Sequence, residues 1–387
     1  IRVTAQLIKA DDGFHIWSEN FDGEMKDIFE VQDEISQKIV EKLEADSYFD
    51  KSNKLYEAST DSIVAYNHYL EGLFYWNKRN PESVRKAITL FDKAVNYCTT
   101  YTNAYSALAN CYTFLGAIGQ MSSTEAYANA EEYANKAVEL NSTRAASYSA
   151  LGFVHLFSKW NFEQAEANFR KAITLEPDHI DARIGLGYLY KSLGEYDRMI
   201  HHVKAASKLE PLSLPAKVEL AKAHIMNQNY ETSLQIFDEV LELDPMFRMA
   251  YEGKSMTYLE MGDLESAWVF ANKYLELVKD PNAGGAFLGY ISALRGDTEG
   301  VNSNLERLTN RIKDNSELDL SIDFACVYAG LNEFDTAFKY LNDGVDNHLG
   351  AMVFLDAMLP FKRMTNDPRF QQIRERIGLP KMKVAAA

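Results

Sequence analysis

The residues able to do chemistry are few and poorly placed for it. His201 and His202 are adjacent, so on a helix they point to different sides and are read as solvated. His155 and His224 stand 69 positions apart and are read as core or edge residues. The three cysteines, Cys98, Cys111 and Cys326, lack metal-site spacing and have an odd count, and are read as small buried hydrophobes. Gly185-Leu186-Gly187 falls inside an apolar helical pattern and reads as packing. There is no nucleophile elbow, zinc-protease motif, P-loop or dinucleotide fingerprint. The carboxylates are numerous, but no pair stands out for acid–base work. The expectation is a noncatalytic chain with no cofactor and no metal.

The elements that would position any site are set by a 34-residue beat. Pro177, Pro211 and Pro245 keep it, as do Gly187, Ala221 and Ser255; Gly194, Gln228 and Gly262; and Ala172, Ala206 and Val240. A fixed period of this size means stacked copies of one supersecondary unit. In residues 145–179, Tyr148, Leu151, Gly152 and His155 share one helix; Ala165, Phe169 and Ala172 share the next, and Pro177 closes the unit. Small residues at matched places let two helices cross closely.

This pattern resembles the tetratricopeptide repeat, with His155 standing where that family usually has tyrosine. The resemblance implies an all-α superhelix of about eight helix-turn-helix repeats over residues 65–351, and a capping segment over 352–380. A tail, 381–387, follows. From the last small position of one repeat to the crossing position of the next the interval is 15, as from 94 to 109 and from 172 to 187. Within repeats it varies: 12 in the regular ones, 13 in repeat three (152 to 165), 15 in repeat one and 21 in repeat two. The extra residues near Gly116–Thr124 read as a tolerated insertion, with a contact loop as the alternative.

In this family the first helix of each repeat lines a concave groove. The register places Tyr66, Tyr69 and Trp76 there in repeat one, Phe114 in repeat two, and Phe153 and Phe157 in repeat three. Tyr188, Lys191, Lys222 and Met226 follow in repeats four and five, and Met256, Leu259 and Tyr290 in six and seven. An aromatic and methionine-rich lining suits an apolar protein or peptide ligand. The subclass that clamps acidic peptide ends uses a Lys/Asn set of which Asn110 alone fits, so it is rejected.

Upstream, residues 1–45 read as a ββα segment. Ile1, Val3, Ala5 and Leu7 alternate with polar residues; Asp11-Asp12-Gly13 turns; Phe14 to Phe21 returns with Trp17 as anchor. Asp27 then caps a helix carrying Ile28, Val31, Ile35, Ile39 and Leu43. The segment resembles the end of a TolB-like domain, which precedes such arrays in bacterial helix-turn-helix regulators and nucleotide cyclase-like proteins. That implies a protein-interaction or sensory region of a bacterial signalling protein, with a freestanding scaffold as a further alternative. Residues 46–64 form a polar connector. A chain opening on Ile1 inside a strand is expected of a fragment, and its open strand edges suit a homodimer. The net charge of −16 argues against direct nucleic-acid binding by this segment. No apolar run approaches the ~18 residues of a membrane span, and the side of any membrane is not readable. Paired glycines at Gly284 and Gly285 suggest a hinge from Ala283.

Overall fold

The computed structural model describes residues 2–8, 15–22, 31, 34–35, 38, 60, 62–278 and 285–380. At the start, β1 (Arg2–Ile8) and β2 (His15–Asp22) pair antiparallel, Val3 opposite Phe21 and Leu7 opposite Trp17. Among the described residues no third strand joins them. Val31, Glu34, Ile35 and Lys38 are helical, and Phe21 and Val31 are buried. Asp27, Ile28, Ile39 and Leu43 lie outside the described residues, as do Ala283 and Gly284 of the expected hinge.

Sixteen helices then form eight pairs. They are α1 (Ile63–Trp76) and α2 (Pro81–Tyr97), α3 (Thr102–Ala117) and α4 (Ser123–Leu140), α5 (Ala145–Phe153) and α6 (Phe162–Leu175), and α7 (Ile180–Ser192) and α8 (Tyr196–Leu209). The second half has α9 (Leu214–Met226) and α10 (Tyr230–Leu243), α11 (Arg248–Met261) and α12 (Leu264–Val278), α13 (Gly285–Arg295) and α14 (Thr298–Asp314), and α15 (Ser321–Gly330) and α16 (Phe334–Asp346). Two 3₁₀ helices, Gly350–Ala357 and Leu359–Met364, lead to α17 (Pro368–Ile377). The expected all-helical superhelix is present, with the small two-stranded sheet before it.

Each pair turns on one residue in the left-handed region. The eight are Arg79, Gly119, Trp160, Gly194, Gln228, Gly262, Gly296 and Asn332, with φ from 49° to 82°. A residue in that region just past a helix end lets backbone N–H groups return to the last carbonyls. Asn229 N, for instance, bonds His224 O at 2.9 Å. This explains the Gly194–Gln228–Gly262 column of the sequence.

A phenylalanine from the second helix fills the space that glycine leaves on the first. A Cβ on Gly72 would lie 2.5 Å from the Phe91 ring of the same repeat, and one on Gly253 of α11 would lie 2.1 Å from Phe237 of α10, in the repeat before. Phe169 is held between two repeats: it sits against Gly152 of α5 and Gly185 of α7, at 2.5 Å and 2.2 Å from the same hypothetical atoms. Gly187 meets Val203 likewise, so both glycines of the Gly185-Leu186-Gly187 run are packing positions.

The insertions go into helix. The single extra residue of repeat three is absorbed by a π-helical turn, Val154–Ser158, continuing α5; such turns are how a helix takes one residue more. In repeat two the added residues lengthen α3, α4 and the turn between them.

The array curls until its two ends meet. Arg248 donates to the Arg79 carbonyl at 3.3 Å. Asp319 N, ahead of α15, bonds Gly119 O at 2.9 Å, so the inserted turn of repeat two makes its contact within this chain. His348 stacks on Trp160 at 3.8 Å and its ring nitrogen lies 2.7 Å from Ser158 O. One buried cluster joins Phe157, Phe169 and Tyr190 with Phe338, Val353, Phe361 and Phe370. The expected closing helix is α17, tied to repeat eight by Arg369 and Asp335 at 2.7 Å.

These observations predict opposite effects of two glycine exchanges. Gln228→Gly removes an L-residue from the left-handed region and should stabilise by about 0.5–1 kcal/mol. Gly253→Ala forces the Phe237 ring from its seat and should destabilise by about 1–3 kcal/mol. Urea denaturation midpoints followed by circular dichroism check both signs.

Candidate functional site: the inner wall of the superhelix

The first helices of successive repeats form the inner layer, and the positions named for the groove divide into three groups there. Tyr66 and Trp76 are buried, at 7% and 8% exposure. Tyr69 packs on Phe91 and Tyr101, with ring centroids 5.6 Å and 5.1 Å away, and Trp76 meets Phe114 edge-on at 5.8 Å. The sequence reading gave these residues to the groove, whereas both Tyr66 and Trp76 are buried and Trp76 packs between repeats one and two. Large rings at the narrow start of the array fill the gap between neighbouring first helices.

The second group lies under the chain's own C-terminal segment. Phe153 and Phe157 of repeat three are parallel at 6.5 Å, and Tyr188 of α7 lies 6.4 Å and 6.3 Å from them. Phe354, from the first 3₁₀ helix, meets Phe157 at 5.7 Å and Tyr188 at 5.9 Å. The Lys191 ammonium sits 4.4 Å above the Phe354 ring. Further along, Leu359 packs on the cluster holding Leu259 and Tyr290. Lys362 binds Glu260 of α11 through both carboxylate oxygens, at 2.9 Å and 2.8 Å. Phe157, Leu259 and Tyr290 are consequently buried rather than presented to solvent. The sequence reading missed Phe354 and Lys362 because both fall past the point where the period lapses. An aromatic and a lysine in a nonrepeating apolar stretch were the available signal.

The third group remains half-exposed: Lys222, Met226 and Met256 on α9 and α11. Both methionines pack beside the buried Val218, Ile225 and Phe237. Charge collects beside them to a degree the sequence reading did not foresee. Glu219 is buried, at 8% exposure, and Lys222 lies 3.6 Å from it. Burial pushes the Tyr188 hydroxyl well above its ordinary value, and the neighbouring Glu219 charge adds to this. Burial and then the Lys222 charge bring Lys191 down to about 8. Lys222 goes the other way, because Glu219 and Glu252 outweigh its burial. On α15, burial raises Asp323 to about 6 despite the Arg311 charge. Lys191 and Asp323 keep some accessible surface, yet both shift in the direction of desolvated groups.

Elsewhere, an open cleft of about 750 Å³ lies beside the contact of repeat two with the end of the array, lined by Ser122, Thr124, Lys159, Asp319, Asp346 and His348. His202 is half-buried against Tyr190 at 5.5 Å and meets His201 edge-on at 5.1 Å, so the pair is not simply solvated; burial, then His201, lowers His202 to about 4. His155 and His224 are half-buried, and burial lowers both. Cys111 is buried, while Cys98 and Cys326 are half-buried. Among the described residues no group of three His, Cys, Asp or Glu could hold a metal ion, and no helix is long and apolar enough to cross a membrane.

Residues 145–179 and 180–211 match the tetratricopeptide-repeat family. The chain carries tetratricopeptide repeats. These two, repeats three and four, are the ones that flank Phe354. The chain is 26% identical over 176 residues to anaphase-promoting complex subunit 3 of Schizosaccharomyces pombe, a match spanning 44% of this chain and 25% of that protein. It is 24% identical over 182 residues to the transcriptional regulator HilA of Salmonella typhimurium, spanning 47% of this chain and 32% of that one. In fold it is similar to a chain of the APC/C hetero-tetramer Cut9–Hcn1, with a TM-score of 0.54 at 13% identity, covering 89% of this chain and 59% of that chain. Tetratricopeptide arrays are protein-interaction scaffolds, and their stacked repeats create extended concave surfaces for that purpose.

The α15 carboxylate has a measurable consequence. Asp323 has a folded pKa of about 6, above the ordinary carboxylate range. Ionisation therefore disfavours the folded state. That penalty is complete at pH 7 and fades as pH falls through about 6 toward the unfolded value. Asp323→Asn should raise the melting temperature at pH 7, and the gain should shrink by pH 5. Thermal melts of both proteins across that range check the sign.

Proposed function

We propose that this chain is the noncatalytic, partner-binding region of a bacterial signalling protein, a transcriptional regulator whose DNA-binding domain lies outside the chain. The observation that carries the partner-binding role is the half-exposed strip of Lys222, Met226 and Met256 on the first helices of repeats five and six, which continues the aromatic face of Tyr188 in repeat four. The methionine side chains there remain partly wet on the inner layer. Flexible thioethers beside a fixed aromatic adapt to an apolar peptide. The regulator reading takes its support from the similarity to HilA and from the TolB-like look of the first 45 residues. The net charge of −16 leaves DNA contact to another part of the parent.

Changing Tyr188, Met226 and Met256 together to Ser in the full-length parent should alter its transcript profile while helicity and protein level stay near those of the wild type. An unaltered profile at equal protein level would remove the concave wall from the regulatory function.

A further inference from the structure

The segment between α16 and α17 packs on the first helices of repeats three, four, six and seven. It does so with three spaced contacts of different chemistry. Phe354 enters the aromatic box of Phe157 and Tyr188 beneath the Lys191 ammonium. Leu359, five residues on, joins the apolar cluster of Leu259 and Tyr290. Lys362, three further, pairs with Glu260, whose side chain is only 9% exposed. Each contact is one a peptide ligand would make: cation–π, apolar burial and a partly desolvated ion pair.

We propose that residues 350–364 act as an internal ligand of this groove, and that the partner is a peptide segment carrying an aromatic, an aliphatic and a basic residue at positions i, i+5 and i+8, which exchanges with it. This rests on the concave-wall reading given above and names the chemistry of that wall's partner.

The way the segment is held favours exchange over permanence at the groove. It is built of two 3₁₀ helices, whose hydrogen bonds are poorer than those of an α-helix. Both ends are fixed independently of the groove. His348 is stacked on Trp160 at one end, and α17 is bound to repeat eight at the other, through Arg369 with Asp335 and Arg376 with Asn342. The segment's main lock is Arg374, 1% exposed, which binds Asp356 at 2.8 Å. Met352, Val353 and Phe361 are buried, so the segment leaves only when equivalent apolar side chains take their place. That requirement selects for a matched peptide. A competent state that is rarely open lowers apparent affinity by its own fraction, and loosening the internal ligand restores it.

The test uses a fluorescein-labelled peptide of residues 348–366 and the whole chain. Fluorescence anisotropy should show weak binding to the wild type and at least about tenfold tighter binding to Phe354→Ala, by relief of that occupancy. Adding Lys191→Met and Glu260→Gln should abolish the gain. If Phe354→Ala fails to fold by circular dichroism, Asp356→Asn, which loosens the Arg374 lock, serves the same purpose. Hydrogen exchange on the wild type gives a reading free of substitution: amides of 350–364 should exchange faster than those of α7 and α11. Unchanged peptide affinity in the loosened variant, or equal protection of the segment and its flanking helices, overturns the proposal. A Phe354→Ala chain that sediments as a dimer also overturns it, since a second copy would then be the occupant. If the Tyr188, Met226 and Met256 exchange alters transcription while the peptide test fails, partner binding stands and the internal ligand does not.

Discussion

A phenylalanine ring seated where a glycine leaves room is the contact on which the array depends. A helix pair of this length cannot bury its apolar faces by itself, so each repeat needs its neighbour. Phe91, Phe169 and Phe237, all 0% exposed, supply the bulk, and Gly72, Gly152, Gly185 and Gly253 supply the space. Close approach of the helices fixes their crossing, and the crossing fixes how far each repeat rotates on the last. The curvature of the inner wall follows from this, as does which first-helix side chains can reach one another across it.

Curvature carried far enough brings repeats one to three against repeats six to eight and the C-terminal segment. Two consequences meet at the inner wall. Aromatic residues that would line an open groove become packing, as Tyr66, Trp76 and Phe157 do. Charged residues that would be solvated become desolvated neighbours, so that Lys191 falls to about 8 and Asp323 rises to about 6. Tyr188, Lys191, Lys222, Met226 and Met256, on repeats four to six, stay half-exposed, with Phe354 beside Tyr188.

The repeat register was legible because its physical causes are local. A left-handed turn residue, a glycine at a crossing and a phenylalanine opposite it recur at one interval, and each leaves a mark at its own position. Gln228 shows how far this goes: it lacks the usual residue type, yet it keeps the interval of its column and takes the same left-handed turn as Gly194 and Gly262. The one-residue excess of repeat three was legible as a count and illegible as a shape, since a π turn and a longer loop give the same number. The inner wall was legible only by position. Whether Tyr66 faces a ligand or a neighbouring helix depends on the superhelical radius, which accumulates over all repeats and is written at no single one. Phe354 was hidden for the same reason: its partners lie in repeats three and four, far back along the chain, and no period connects it to them.

The contacts between distant repeats also change how such an array can come apart. A linear solenoid frays from its ends, because a terminal unit has one neighbour while an inner unit has two. Here Arg79 with Arg248, Gly119 with Asp319, and Trp160 with His348 give the early repeats a second set of neighbours from the end of the chain. The ends thus share in the cooperativity of the middle. Contacts so far apart in sequence form late, after the intervening chain has been ordered. Folding of this protein then has two stages of different character: stacking, which spreads from neighbour to neighbour, and closure, which must wait for the whole arc and after which no repeat is terminal.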